Sequence, residues 1–257
     1  MSAYAYQGGR SGGSGPLVMM VHGAGLDHTV WRYQSRYLAH HGRRVLALDL
    51  PGHGRAGGPP LSSVEEMADW VGRQWLEPAG ESVALIGHSL GALVALEVAG
   101  RFSGLLTRMV LIGSGAGMHV HPDLQAAADR GDVRAIDLII GWSYSRRGRL
   151  GGHPEPGLWQ TGVTRRMLER GLRSTLAIDL AATASYQRGR ATAAAIRCPT
   201  LILIGREDRM VSRRAAAELA ELIPGARLEV VDTAGHMLPL EAPETVRRLL
   251  GDFLPSA

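Results

Sequence analysis

The strongest constraint on this chain is the pentapeptide Gly87-His88-Ser89-Leu90-Gly91 and its surroundings. Ser82-Val83-Ala84-Leu85-Ile86, just before it, is a short apolar run that reads as a buried strand. Ala92-Leu93-Val94-Ala95-Leu96-Glu97-Val98-Ala99, just after it, reads as a helix. A serine between a strand and a helix sits on a sharp, strained turn that pushes its hydroxyl out above the sheet. The chain folds back so closely there that the residues two before and two after the serine must be small. Glycine occupies both places. The pentapeptide alone is common; the strand–turn–helix context makes it informative.

Three other strand-like runs end in residues that carry chemistry. Val18-Met19-Met20-Val21 leads into His22-Gly23-Ala24-Gly25. Thr200-Leu201-Ile202-Leu203-Ile204 leads through Gly205-Arg206-Glu207 to Asp208. Leu228-Glu229-Val230-Val231 leads into Ala234-Gly235-His236-Met237. The order along the chain is therefore Ser89, Asp208, His236. Open α/β sheets place their ligand sites at the carboxyl ends of strands, and all three residues fall there.

With that order, the chain resembles the α/β-hydrolase superfamily from about Leu17 to Leu254. Asp49-Leu50-Pro51-Gly52-His53-Gly54 adds a further family-like turn. The resemblance implies a mostly parallel sheet flanked by helices, with an inserted helical lid. A serine hydroxyl is a poor nucleophile until a base accepts its proton, and His236 is the candidate base. Asp208 would hold the imidazole in the right tautomer and stabilise the imidazolium. The N–H of Leu90, which follows the nucleophile, is one expected oxyanion donor. The resemblance gives the N–H of Ala24 as the second. Glu207, Asp232 and Asp179 are the competing acids. His22 is expected to fix the oxyanion loop, and Asp49 and His53 to form a turn. His119-x-His121 has no third ligand nearby, so no metal is expected.

Strands are expected near 17–21, 44–49, 82–87, 108–112, 200–204 and 227–231, with Tyr4 to Tyr6 as an edge strand. Helices fit near 30–40, 62–76, 89–101, 213–222 and 243–253. Ser62-Ser63-Val64-Glu65-Glu66 offers a capping box, and Pro243 suits a first helical turn. The alternation breaks between Met118 and Arg190, where helical patterns flank a Gly/Pro-rich stretch at 148–157. The expected organisation is a core from 1–117 and 191–257, with a lid at 118–190.

Composition narrows the chemistry. The chain has 257 residues and no lysine; all 28 of its basic residues are arginine. Schiff-base, pyridoxal-lysine and P-loop chemistries each need a lysine and are excluded. The net charge of +4 is modest and no nucleic-acid motif accompanies the arginine clusters, so no nucleic-acid partner is expected. No apolar run approaches the ~20 residues of a membrane span. The Gly/Ser-rich stretch from Met1 to Gly15 has no apolar signal region, and Cys198 is the one cysteine. Both fit a cytoplasmic protein.

Relatives in this superfamily that open epoxides or displace halide use an aspartate at the elbow. Serine favours acyl transfer to water. The expected activity is hydrolysis of a small-molecule carboxylic ester by a monomer or homodimer, without a cofactor. Leu26, His88, Met118, Trp142, Tyr144, Trp159, Met210, Met237 and Leu238 are the expected pocket residues, with Tyr186 as a further lid aromatic. They suggest short to medium acyl chains or a compact aromatic group. Thioesterase, lactonase, carbon–carbon bond hydrolase, aminopeptidase and acyltransferase chemistries use the same triad. A receptor on the same fold is the reading outside enzymology.

Overall fold

The computed structural model describes residues 2–9, 15–152 and 157–254. Residues 153–156 of the Gly/Pro-rich stretch, and most of the Gly-rich run after Gly9, lie outside the described residues. Seven strands form one sheet: β1 (Tyr4–Tyr6), β2 (Leu17–Val21), β3 (Arg44–Asp49), β4 (Val83–His88), β5 (Leu106–Ile112), β6 (Thr200–Gly205) and β7 (Arg227–Val231). The order across the sheet is β1-β3-β2-β4-β5-β6-β7. Only β1 runs antiparallel, paired with β3 at the edge.

This order fixes where a site can form. From β2 the chain moves outward to β3; from β4 it moves the opposite way to β5. The connections leaving β2 and β4 therefore diverge, and they leave a crevice beyond the carboxyl ends of those two strands. Val21 pairs with Gly87 in register, so His22-Gly23-Ala24 and His88-Ser89 emerge side by side into that crevice.

Period-2 alternation in the strands builds two cores. Val18, Met20, Ala84, Ile86, Val110 and Leu203 face one side, against the helices Arg32–His40 and Pro243–Phe253. Met19, Val21, Leu85, Met109, Leu111 and Ile202 face the other, against the helices Val64–Val71, Leu90–Arg101 and Arg213–Leu222. Every residue of β2 and β4 is buried, as sheets covered on both faces require. Ser63 caps the Val64–Val71 helix by accepting from the Glu66 N–H, and the Glu66 carboxylate reaches back to the Ser62 N–H. Pro243 occupies the first turn of the last helix.

Between β5 and β6 the chain forms helices at Pro122–Asp129, Arg134–Ser143, Gln160–Gly171, Leu176–Ser185 and Gly189–Ala195, among others. Their apolar faces join the cores of the sheet domain. Leu124, Ile136, Leu168 and Leu180 belong to the first core, and Ala182, Tyr186 and Ala193 to the second. Among the described residues no helix is long and apolar enough to cross a membrane.

One buried carboxylate ties the end of this segment to the helix behind Ser89. Glu97, 1% exposed, accepts from Arg101 Nε at 2.7 Å and Arg188 Nε at 3.1 Å. Its second oxygen accepts from the Tyr186 hydroxyl at 2.8 Å and the Thr192 hydroxyl at 3.2 Å. Both arginines reach solvent, so the energetic weight falls on the two buried hydroxyls. Leaving a buried donor unpaired costs about 1–3 kcal/mol. Glu97→Ala should therefore lower unfolding free energy by about 2–4 kcal/mol in a denaturant titration, and Glu97→Gln, which keeps one acceptor, by less.

Candidate active site

Ser89 is the one non-glycine residue with positive φ among the described residues, at φ 55° and ψ −121°. It is the hinge between β4 and the Leu90–Arg101 helix. The sequence permits this turn because of its glycines. A Cβ on Gly87 would run into the Gly91 carbonyl, and one on Gly91 into the carbonyls of Val21 and His22. Gly23 is nearly as tight: a Cβ there would lie 3.1 Å from the Ser89 Cβ.

His236 and Asp208 meet across the neighbouring strand ends. His236 Nδ1 lies 2.8 Å from Asp208 Oδ2, and both side chains are buried. Asp208 Oδ1 accepts the N–H groups of Met210 and Val211, each at 2.8 Å. The carboxylate is thus fixed in its own turn and offers one oxygen to the imidazole. The carboxylate accepts, so Nδ1 donates, and Nε2 is left as the lone-pair nitrogen. Nε2 is buried and has no hydrogen-bond partner. The competing acids are engaged elsewhere. Glu207 accepts the Arg146 N–H, Asp232 pairs with Arg206 at the surface, and Asp179 lies against Gly25 and His53.

The backbone of His236 is held by the segment between β5 and β6. The Ser143 carbonyl accepts the His236 N–H at 2.6 Å and the Met237 N–H at 3.2 Å. Glu241, 8% exposed, accepts the Gly235 N–H on one oxygen and the Ser145 N–H on the other, each at 2.8 Å. Burial pushes the Glu241 carboxyl above its ordinary pKa.

His88 and His22 are both buried and neutral. Burial, helped by His236, lowers the His88 pKa to about 3, and its Nε2–H donates to the His236 carbonyl at 2.9 Å. Burial, helped by His53, lowers the His22 pKa to about 4. His22 Nε2 accepts the Leu50 N–H at 3.1 Å, and Nδ1–H donates to the Gly23 carbonyl at 2.9 Å. His22 thereby fixes the loop that presents Ala24. Among the described residues, no hydrogen bond engages the N–H of Ala24 or of Leu90.

A cavity of about 240 Å³ opens between these groups. Ser89, His236, Gly23 and Ala24 form its floor, and Leu26, His88, Met118, Trp142, Met210 and Met237 contribute walls, as do Val120, Leu124, Ile139, Leu168 and Leu180. No carboxylate lines it among the described residues. Three expected pocket residues lie elsewhere. Tyr144 is buried away from the cavity, its hydroxyl 2.6 Å from the Thr164 hydroxyl. Trp159 is 69% exposed, and Leu238 is fully buried in the first core. Tyr186, too, faces Glu97 and not the cavity. Aromatic character alone does not place a side chain on the cavity: Tyr144 and Tyr186 are buried elsewhere and Trp159 is exposed. His119 and His121 lie on the cavity wall, and among the described residues no group of three or more histidine, cysteine or acidic side chains could hold a metal ion.

A sequence model of the alpha/beta hydrolase family matches residues 18–249. The chain belongs to that family. Among curated relatives of this alpha/beta hydrolase, Protein ABHD8 of Bos taurus is 25% identical over 93% of this chain and 56% of that protein. The chain thus spans little more than half of that relative. The pimeloyl-[acyl-carrier protein] methyl ester esterase of Aromatoleum aromaticum is 30% identical, over 93% of this chain and 98% of that protein. A thermophilic esterase from Thermogutta terrifontis, solved with malate bound, has a TM-score of 0.81 at 24% identity, covering 98% of this chain and 97% of that one. That last likeness is one of fold.

The double grip of Glu241 predicts a graded response. Glu241→Gln leaves one of the two amides facing an NH₂ group and should cost about 1–3 kcal/mol of stability. Glu241→Ala strands both amides and should cost roughly twice that in the same denaturant titration.

Proposed function

We propose that this alpha/beta hydrolase cleaves carboxylic esters through an acyl-enzyme on Ser89. One observation carries the reading: Asp208 fixes the His236 tautomer and leaves a buried, unpartnered Nε2 on the same cavity as the strained Ser89. A buried acceptor without a donor is rare in folded proteins, and the serine hydroxyl is the donor that chemistry would bring to it. The Aromatoleum relative, named as a methyl ester esterase, supports the ester class.

In this mechanism Ser89 Oγ attacks the ester carbonyl carbon as His236 Nε2 takes its proton. The carbonyl oxygen becomes an oxyanion, received by the N–H groups of Ala24 and Leu90; each such donor is worth about 3–4 kcal/mol in the transition state. The intermediate collapses, the C–O bond to the alcohol breaks, and His236 protonates the departing oxygen. Water then attacks the acyl-enzyme by the same steps, giving the acid and restoring Ser89. Asp208 stays ionised throughout and stabilises the imidazolium.

The cavity argues for compact substrates. Its ~240 Å³ lies below the roughly 300–1,000 Å³ usual for ligand pockets. Short to medium acyl chains or a compact aromatic group suit such a space. Each added methylene helps by about 0.8 kcal/mol while room remains.

Ser89→Ala should lower kcat by roughly 10⁴–10⁶-fold with folding intact, and a fluorophosphonate should label the wild type at Ser89. Persistent labelling of the variant would refute the assignment. Asp208→Asn should cost about 10³–10⁴-fold in kcat, while Asp232→Asn and Glu207→Gln should cost far less. Thioesters, lactones and diketones assayed beside the esters test the other reactions open to the same triad, and no turnover of any would favour a receptor.

Chain length gives a separate test. Across p-nitrophenyl acetate, butyrate, octanoate and palmitate, kcat/KM should peak before palmitate. Trp142→Ala should move the peak to longer chains, because Trp142 lines the cavity. Trp159→Ala should leave it in place, because Trp159 lies outside. A maximum at palmitate would overturn the compact-substrate reading.

A further inference from the structure

The loop from His22 to His28 carries the Ala24 N–H, yet much of its anchorage comes from outside it. One tie is made by a residue far away in sequence. Asp179, on the Leu176–Ser185 helix, is fully buried, and its Oδ2 accepts the Gly25 N–H at 2.7 Å. The same oxygen lies 2.9 Å from His53 Nε2. The helix and the loop are in direct contact: Gly25 has φ +65°, and a Cβ there would come within 2.8 Å of Leu176. The neighbouring residues Leu180 and Thr183 line the cavity.

The contacts of His53 favour a protonated ring. Its Nδ1 lies 3.0 Å from the Pro51 carbonyl and its Nε2 2.9 Å from Asp179 Oδ2, so each ring nitrogen faces an oxygen. The other groups facing His53 are His22, whose ring centroid lies 4.9 Å away, and Asp49. His22 is neutral, and Asp49 accepts the N–H groups of His28 and Arg55 at 2.7 and 2.8 Å. Asp179 is therefore the acidic side chain in direct contact with His53. Its other oxygen is buried without a hydrogen-bond partner, so Oδ2 makes the contacts of the carboxyl group to Gly25 and His53.

We propose that Asp179 and His53 are positioning residues for the oxyanion loop: their ion pair holds the Gly25 amide and thereby aims the Ala24 N–H into the cavity. The proposal rests on the ester-hydrolase reading for its catalytic consequence, but not for the tether itself. It also carries a pH sign. Burial pushes the His53 pKa down, but the charge and hydrogen bond of Asp179 outweigh it, so the value rises above the ordinary 6.5. For a histidine raised in this way, the stabilisation is complete below the ordinary value and fades as pH rises through the folded one. The tether is lost on the alkaline side.

The test uses Asp179→Asn, which keeps the shape and removes the charge, with His53→Gln as its partner. Hydrogen exchange of the segment 22–26 should speed up about tenfold or more in either variant, whatever reaction the protein performs. Against an ester, kcat should fall about 10–100-fold, short of the roughly 10²–10³-fold for deleting an oxyanion donor outright. KM should stay within about threefold, because the ground-state carbonyl leans little on this loop. Affinity for a trifluoromethyl ketone, which forms a tetrahedral adduct, should drop in parallel with kcat. In the wild type kcat should decline at alkaline pH, and the variants should lack that decline. Unchanged exchange overturns the tether. Faster exchange with unchanged kcat and ketone affinity overturns the oxyanion role, as does a lowered melting temperature with normal kcat. If the wild type hydrolyses no ester and Ser89 resists a fluorophosphonate, the ester reading fails and the oxyanion role falls with it, whereas the exchange result still decides the tether.

Discussion

The backbone of Ser89 is the constraint around which the rest is arranged. A non-glycine residue held at φ 55° costs on the order of 1–3 kcal/mol, and it persists only if its surroundings over-determine it. They do so on both sides. β4 is clamped between β2 and β5, and the Ser89 N–H extends that pairing to the Ile112 carbonyl at 2.9 Å. The following helix is buried along nearly its whole length. Between them, Gly87 and Gly91 bring backbone against backbone at distances that no side chain would tolerate. The strain is thus held between a buried central strand and a buried helix, at the edge of the crevice that the sheet topology leaves open.

The other groups of the site are held less by the sheet than by the segment between β5 and β6. His236 hangs from the Ser143 carbonyl, the Gly235 turn is bridged to Ser145 through Glu241, and the loop carrying Ala24 leans on Asp179. The sheet brings Ser89, Asp208 and His236 to neighbouring strand ends, Asp208 is fixed by its own turn, and the segment anchors the His236 backbone and the loop of Ala24. That division explains why its apolar faces merge into the two main cores. A segment that anchors parts of the site cannot be loosely attached.

This division also governs what could be read in advance. The strands and the polar residues that follow them were legible because each rests on local signals: an apolar run, a glycine turn, a polar residue where the run stops. The strand limits expected near 17–21, 44–49 and 200–204 differ from the observed β2, β3 and β6 by a residue at most. The cavity wall was half legible. Met118, Trp142 and Met210 line it, whereas Tyr144, Trp159 and Leu238 do not, because short helices joined by irregular turns leave the facing side unspecified. Asp179 and Glu241 carried no local signal as anchors. Asp179 lies 154 residues from Gly25, and its contact exists only once the segment has docked. The sequence shows only that each is an acid amid apolar neighbours, without saying what it holds.

The grip of the Ser143 carbonyl on the His236 backbone has a mechanical corollary. A cover hinged to swing away as a unit would pull Ser143 off His236 and Met237 and Ser145 off Glu241, and would leave three amides, a carbonyl and a carboxylate oxygen without their present partners. Such a movement would release the backbone of His236. His119, His121 and Arg209, which are exposed and also line the cavity, take no part in these ties. Any displacement of the segment as a unit therefore carries the cost of these broken hydrogen bonds, about 0.5–1.5 kcal/mol each.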